Sequence, residues 1–374
     1  MNSSSTMIKK AAEFASAMIE PNAAQWEYAR CFPRDVFIAA ADASLAGLIV
    51  PATDGGSDLG PRGMADIMRK LAAADFAFAF SLVVHNNLAG TIARYGSVEQ
   101  KQRWLPGMLS AKKIGAFLLT ETSGGSDAAA IRCHARPQGS GWVLNGEKAW
   151  ISNASDADVL SVYATIAPEQ GFRGIACFLI PADRPGVHRL EPFNLMGGHA
   201  LGTGGFSFTD VSLQPEDLLI APGEAFKAAM AGIDLARVNV ASMCCGMLER
   251  GIEEAVGFAG SRQAFGGPIS DQQGIRWMLS DAATDLAAAH ALTEKAIDAL
   301  EAGQRATIAA AHAKKFATTA ALKRLADCMQ VMGASGYRAD VPLGRHLGAA
   351  KMAAYLDGTT EIQNVVISRS LFST

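Results

Sequence analysis

The sequence predicts an α+β multidomain protein: an N-terminal helical domain over residues 1–113, a middle β-barrel or sandwich domain over 114–222, and a C-terminal four-helix-bundle domain over 223–374. Three observations carry the prediction. Long alanine-rich segments with apolar residues at helical spacing occupy both ends of the chain. Between them lie short runs of β-formers separated by turn residues. Strands and helices do not alternate, so a Rossmann-type parallel sheet is disfavoured.

Each element has its own signal. Residues 7–20 carry apolar groups at helical spacing and are stopped by Pro21-Asn22; a second helix restarts after Pro33, over 33–48. Residues 51–58 (PATDGGSD) form a loop by composition. Helices follow over 62–95 and 97–110. Strands are predicted at 114–119, 142–145, 148–152, 159–165, 174–180, 187–190 and 205–209. Helical periodicity returns over 224–260, 271–303, 305–333, 344–356 and 361–370.

Composition narrows the function. With 49% apolar and 18% charged residues, the 374-residue chain is not disordered and can bury a large core. A net charge of −3 offers no basic surplus for nucleic acid or an anionic membrane. Residues 1–10 hold no apolar stretch of signal-peptide length, and no uninterrupted apolar run reaches spanning length, so a cytoplasmic location is expected. The six cysteines make no CxxC pair and read as reduced core thiols. The seven histidines lack ligand spacing, so no metal is expected.

Four stretches could carry chemistry. Leu119-Thr-Glu-Thr-Ser-Gly-Gly-Ser-Asp127 runs from a strand into a glycine-rich loop, and Ser126 or Asp127 could cap a helical turn at 128–131. An ordinary loop has the same composition. In Ala149-Trp-Ile-Ser-Asn153, Trp150 could stack on a ring system and Ser152, on the same strand face, could donate to it; a core tryptophan is the alternative. Arg262 beside Gly266-Gly267, with Gln272 and Gln273 beyond, could hold a pyrophosphate or simply cap a helix C-terminus. Tyr355-Leu-Asp-Gly-Thr-Thr-Glu-Ile-Gln363 is a turn signal on its own.

Taken together and in order, these stretches resemble the acyl-CoA dehydrogenase family, whose members carry LTEPGAGSD, WITN, RxxFG with a downstream Gln, QxxGGxGY and EGTxEIQ. The chain has LTETSGGSD, WISN, RQAFG with Gln273, Gln330-Val-Met-Gly-Ala-Ser-Gly-Tyr337 and DGTTEIQ. The resemblance covers roughly residues 11–371 and implies the helix–sheet–helix fold. Within the family, Pro21-Asn22 with Trp26, Gly174-Ile-Ala-Cys177, Arg237-Val-Asn-Val-Ala-Ser242, Ile367-Ser-Arg-Ser-Leu371 and Leu356 are most similar to the isobutyryl-CoA or short-branched-chain branch.

The resemblance implies an FAD enzyme that converts a short or branched acyl thioester, on CoA or an acyl-carrier protein, to the 2-enoyl thioester. Asp357 would be the α-proton base, with hydride passing from the β-carbon to flavin N5. Phe117, Leu119, Thr120, Gly125 and Ser126 would hold the isoalloxazine and ribityl part, Trp150 would stack on the flavin and Ser152 would meet N5. Arg262, Phe265, Gln273, Gln330 and Gly333 would reach the FAD of a neighbouring subunit, while Thr359 and Glu361 would serve its phosphate and adenosine region. Ser126, Asp234, Arg237, Leu356 and Gly358 would contact substrate, Asp234 and Arg237 being also an i,i+3 ion pair on one helix. The implied partners are acyl-CoA, an electron-transfer flavoprotein and three further copies in a dimer of dimers. Residues near Leu82–Asn87 and Val238–Met243 would floor the acyl pocket.

The chain departs from the family pattern at three places. Asp357 replaces the usual glutamate and is roughly 1.5 Å shorter in reach. Gly348-Ala349 replaces an Arg-Asp pair, and Ala334 a glycine. Some relatives place their base at the position of Ala236, which cannot act. An aspartate base also resembles nitroalkane oxidases of the same superfamily, so a flavin oxidase or monooxygenase is the alternative. A non-catalytic flavoprotein binding module is a further one.

Overall fold

In the computed structural model, which describes residues 3–372, helix α1 (Ser3–Phe14) passes into a π-helical turn at Ala15–Ile19 before the break at Pro21. Helix α2 (Ala23–Ala29), not foreseen from the sequence, follows directly. Helix α3 (Arg34–Asp42) is shorter than the predicted 33–48. Ser44 turns left-handed, at φ 65°, and the chain then runs as a buried loop tied to Asn86. That side chain accepts from Leu48 N at 2.7 Å and donates to Leu45 O at 2.9 Å, satisfying backbone groups that a loop would otherwise bury unpaired.

The single helix expected over 62–95 is two, α4 (Gly60–Ala74) and α5 (Phe76–Tyr95). Asp75 separates them, and its carboxylate accepts from Phe78 N at 2.8 Å as an N-cap. Helix α6 (Val98–Leu109) starts on a capping box made by Ser97 and Gln100.

The middle of the chain forms strands β1 (Gly115–Leu118), β2 (His134–Gln138), β3 (Gly141–Ile151), β4 (Val159–Thr165), β5 (Ile175–Pro181), β6 (Val187–Arg189), β7 (Gly204–Leu213) and β8 (Leu218–Ile220). Strands β2 and β8 were not predicted, and the two runs 142–145 and 148–152 are one strand, β3, interrupted by register shifts. The sheet order is β6-β7-β3-β2-β4-β5-β8, with β1 parallel to β4. Trp142 on β3 meets Phe178 on β5 with ring centroids 5.4 Å apart, although these strands are not neighbours. The sheet therefore curls over one core, which includes Leu144, Val162, Ile180 and Phe206. The opposite face of β4 and β5 presents Val159, Tyr163 and Leu179 to a second core shared with α5, α6 and the start of the next helix.

That helix, α7 (Ala225–Ser261), packs against α4, α8 (Gln273–Glu301) and α9 (Thr307–Met332). Residues 236–248 are all buried, so the helix is apolar on every side. A short hairpin of β9 (Gln263–Ala264) and β10 (Gly267–Pro268) joins α7 to α8. Helices α10 (Leu343–Ala353) and α11 (Thr360–Phe372) close the chain. By length and composition α5 and α7 would each suffice to cross a bilayer, contrary to the sequence reading, but most of their residues lie inside the fold.

Candidate active site

A cavity of about 610 Å³ opens where the three parts of the chain meet. Its wall includes the end of β1, the glycine loop, the end of β3, the middle of α5, the first third of α7 and the turn between α10 and α11. Of the residues singled out from the sequence, Phe117, Leu119, Thr120, Gly125, Ser126, Trp150, Ser152, Arg237, Leu356, Asp357, Gly358 and Thr359 all line it.

Trp150 sits at a register shift between Ala149 and Ile151, with φ 60°. The bulge takes it out of the ladder and leaves its indole 57% exposed against Phe193, ring centroids 4.4 Å apart. Ser152 shares the cavity for a different reason from the one expected. Strand β3 ends at Ile151, so Ser152 faces the cavity from the following turn and not by strand alternation. Asn153 anchors that turn, donating to Ser81 O at 3.1 Å and Gly115 O at 2.9 Å.

The glycine loop is held from below. Lys148, fully buried, donates to Leu119 O at 2.9 Å and to Glu121 at 3.0 Å. Glu121 in turn accepts from the backbone N–H of Arg132 and Cys133, at 2.8 and 2.9 Å. The loop is thus closed at both ends by one buried ion pair. Residues 128–131 form no helix; Ala130 N–H to Asp127 O closes a single turn. A Cβ on Gly125 would come within 3.0 Å of Thr120, so a side chain there would crowd the cavity wall.

The turn bearing Asp357 reverses the chain between α10 and α11. Asp357 and Gly358 are both left-handed, with φ of 51° and 93°. Three side chains from three helices grip its carbonyls. Arg237 Nε on α7 donates to Asp357 O at 3.0 Å, and Lys314 Nζ on α9 donates to Gly358 O at 2.8 Å. Gln363 Nε2 on α11 donates to the same Gly358 O at 2.8 Å. Asp234 pairs with Arg237 at 3.0 Å and accepts from Thr307, so it acts through Arg237 and does not line the cavity.

With its backbone pinned, the Asp357 carboxyl keeps a buried oxygen, Oδ2, without a partner. Burial pushes its pKa up to about 6, against the opposing pull of the Lys314 ammonium and the Arg237 guanidinium. The lysine shows the converse effect: burial lowers it to about 8, with Asp357 working against that shift. The result is a carboxylate that is charged near neutrality yet more basic than usual.

Arg262, Phe265, Gln273, Gln330 and Gly333 are not in this cavity. Arg262 caps the far end of α7, 25 residues beyond Arg237, a run of roughly 37 Å along the helix axis. Phe265, 95% exposed, tips the hairpin. Arg324 pairs with Asp281 and Asp285, which sets the end of α9, with Gln330 and Gly333, beside the start of α8. These five residues share the opposite end of the helical bundle. Glu361 is exposed and also outside the cavity wall. The expected pocket floor is half right. Val83, Val84 and Asn87 contribute, but Val238–Met243 are packed into the bundle, and Met230, Ile233 and Ala236 from the preceding turns of α7 take their place.

Sequence reasoning missed Lys314, Lys148 and Gln363 as supports, and Leu195 and Met196 as wall. A lysine in an alanine-rich helix reads as solvated. The one signal for Lys314 was its place among Ala310, Ala311, Ala313 and Ala317, all buried.

Comparison with known proteins gives concordant matches. The N-terminal domain of acyl-CoA dehydrogenases matches residues 2–112, the middle domain residues 116–211 and the C-terminal domain residues 223–372. The chain is 33% identical to the mitochondrial short-chain specific acyl-CoA dehydrogenase of Mus musculus, covering 96% of this chain and 87% of the relative. It is 31% identical to the mitochondrial isobutyryl-CoA dehydrogenase of Dictyostelium discoideum, over 96% and 87%. The structure of butyryl-CoA dehydrogenase from Megasphaera elsdenii superposes with a TM-score of 0.96 at 28% identity, covering 100% of this chain and 99% of that one.

Proposed function

Because the chain belongs to the acyl-CoA dehydrogenase family of oxidoreductases acting on CH–CH bonds, we propose that it desaturates a short or branched acyl-CoA at the α,β position, with Asp357 as base. One observation carries the proposal. The unpartnered Asp357 carboxyl lines the same cavity as the exposed Trp150 indole, Phe117 and the glycine loop.

The cofactor of the family is FAD, and the cavity's walls fit it. They offer flat apolar surface at Trp150 and Phe117 and a close backbone approach at Gly125. Thr203 Oγ1, buried in the wall, lacks a protein partner. Thr120, Ser126, Trp150 and Ser152 would hold the flavin end. When bound, FAD supplies the acceptor for the hydride that leaves the β-carbon.

This chain's residues do the rest. Asp357 takes the α-proton; its backbone N–H is the donor offered to the thioester carbonyl as enolate-like charge builds. Arg237 and Lys314 fix the turn so that the shorter aspartate keeps one position over the substrate. Arg262, Phe265, Gln273, Gln330 and Gly333 would complete the FAD site of a neighbouring copy in a homotetramer, and an electron-transfer flavoprotein would reoxidise the enzyme.

The test is anaerobic bleaching of the bound flavin by butyryl-CoA and isobutyryl-CoA. Bleaching is expected with the wild type. Asp357→Asn should slow it by about a hundredfold or more while leaving FAD bound. An Asp357→Asn variant that bleaches at the normal rate would remove the base from this scheme.

A further inference from the structure

Beyond Asp357 the cavity continues into a small side chamber of about 50 Å³, between α5, β4 and the start of α7. A single water needs roughly 10–15 Å³ by the same kind of measure, so the chamber takes only a few heavy atoms. Most of its wall is apolar, from residues such as Phe80, Val83 and Ile233. Asn87 is the exception that matters. Its Oδ1 is buried and has no partner within the chain. The adjacent Asn86 shows what a structural asparagine looks like in this helix, with hydrogen bonds to Leu48 N, Leu45 O and Leu82 O. Asn87 makes no such use of its acceptor. Ser161, also in the wall, spends its proton on Ala116 O at 3.2 Å and keeps lone pairs to accept with.

We propose that this chamber selects a short acyl chain carrying a hydroxyl group beyond the reacting carbons, hydrogen-bonded to Asn87. The inference rests on the dehydrogenation reading above and names its substrate class. A buried acceptor left unpaired is costly, and a donor on the substrate relieves that cost where an alkyl terminus cannot. A charged tail fits worse. Asp357 is the one charged residue in the chamber wall. An ammonium would pair with the Asp357 carboxylate and weaken it as a base; a carboxylate would repel it.

The experiment uses the FAD-loaded enzyme and thioesters matched in shape: 4-hydroxybutyryl-CoA against pentanoyl-CoA, and 5-hydroxypentanoyl-CoA against hexanoyl-CoA, with 4-aminobutyryl-CoA as the charged analogue. Turnover is followed with an artificial electron acceptor and binding by calorimetry. The hydroxylated member of each pair should have a kcat/KM about tenfold higher or more. Asn87→Leu should reverse that preference, and Asn87→Ala should abolish it. A wild type that prefers the alkyl member, or a ratio unmoved by Asn87→Leu, overturns the proposal. Oxidation of both members without preference sinks this inference alone. Selective binding of the hydroxylated member with no oxidation of either sinks the dehydrogenation reading and leaves the recognition standing.

Discussion

At the residue scale the site turns on how Asp357 is buried. Its folded-state pKa is raised from 3.8 to about 6. As base it must be ionised, so kcat/KM should rise with pH through a limb near 6 and level off above it. The same shift has a stability consequence of opposite sense. Between pH 4 and 6 the folded chain holds this proton more tightly than the unfolded chain, so the Asp357 contribution is complete below about pH 4 and is lost as pH rises towards 6. Asp357→Asn should therefore stabilise the apoprotein at pH 7 by on the order of 2–3 kcal/mol and add nothing at pH 4, measured by urea denaturation at both values. Equal gains at the two pH values would show that the carboxyl is not desolvated. Lys314 and Arg237 are the cations that oppose the shift, from α9 and α7. Lys314→Met removes one of them, and the acid limb of the wild-type profile should then move upward by about one unit. A limb that stays put would confine Lys314 to holding the turn through Gly358 O.

At the scale of elements, the Lys148–Glu121 pair decides whether the glycine loop is a shaped wall or a mobile flap. Both partners are nearly or fully buried, with side-chain exposures of 0% and 6%. Removing one leaves a buried charge, so Glu121→Gln should cost about 3–5 kcal/mol in urea unfolding and weaken FAD retention; Glu121→Gln paired with Lys148→Met should recover part of both losses. No periodicity announces such a pair. Helices and strands were legible from apolar residues at helical spacing and from runs of β-formers between turn residues, and the order of elements followed from that. Asp75 hid a helix junction inside an alanine-rich run because an N-cap is one residue in an otherwise unbroken pattern. Strand β2 was missed because its residues are mostly exposed and polar, HARPQ, and its pairing with β3 is a tertiary fact. The motif residues were legible through resemblance, and twelve of them meet in one cavity. The supports, Lys314, Gln363 and Lys148, were not, because their meaning lies in which carbonyl they reach.

At the scale of the whole molecule, the two groups of residues proposed to hold FAD lie at opposite ends of the helical bundle. The cavity with Asp357 lies at the start of α7, and Arg262 lies at its far end with Gln273, Gln330 and Gly333. A span of roughly 37 Å along α7 keeps the two ends of one chain from serving one flavin unless copies associate. Exposed apolar residues mark that far end, Phe265 at 95%, Trp277 at 62% and Tyr337 at 86%. If a neighbouring copy lends Arg262 to the cavity that holds Asp357, each of two defective chains can repair the other. Arg262→Ala alone should lose FAD on dilution, and Asp357→Asn alone should keep FAD but lack turnover. When the two are unfolded together and refolded, half of the pairs are mixed, and each mixed pair has one site with both an intact Asp357 and an intact Arg262. Roughly a quarter of wild-type turnover should return, together with FAD absorbance, in a sedimenting species larger than one chain. If each chain instead completes its own site, the mixture stays as inactive as its components whatever its oligomeric state, because no chain in it holds both residues.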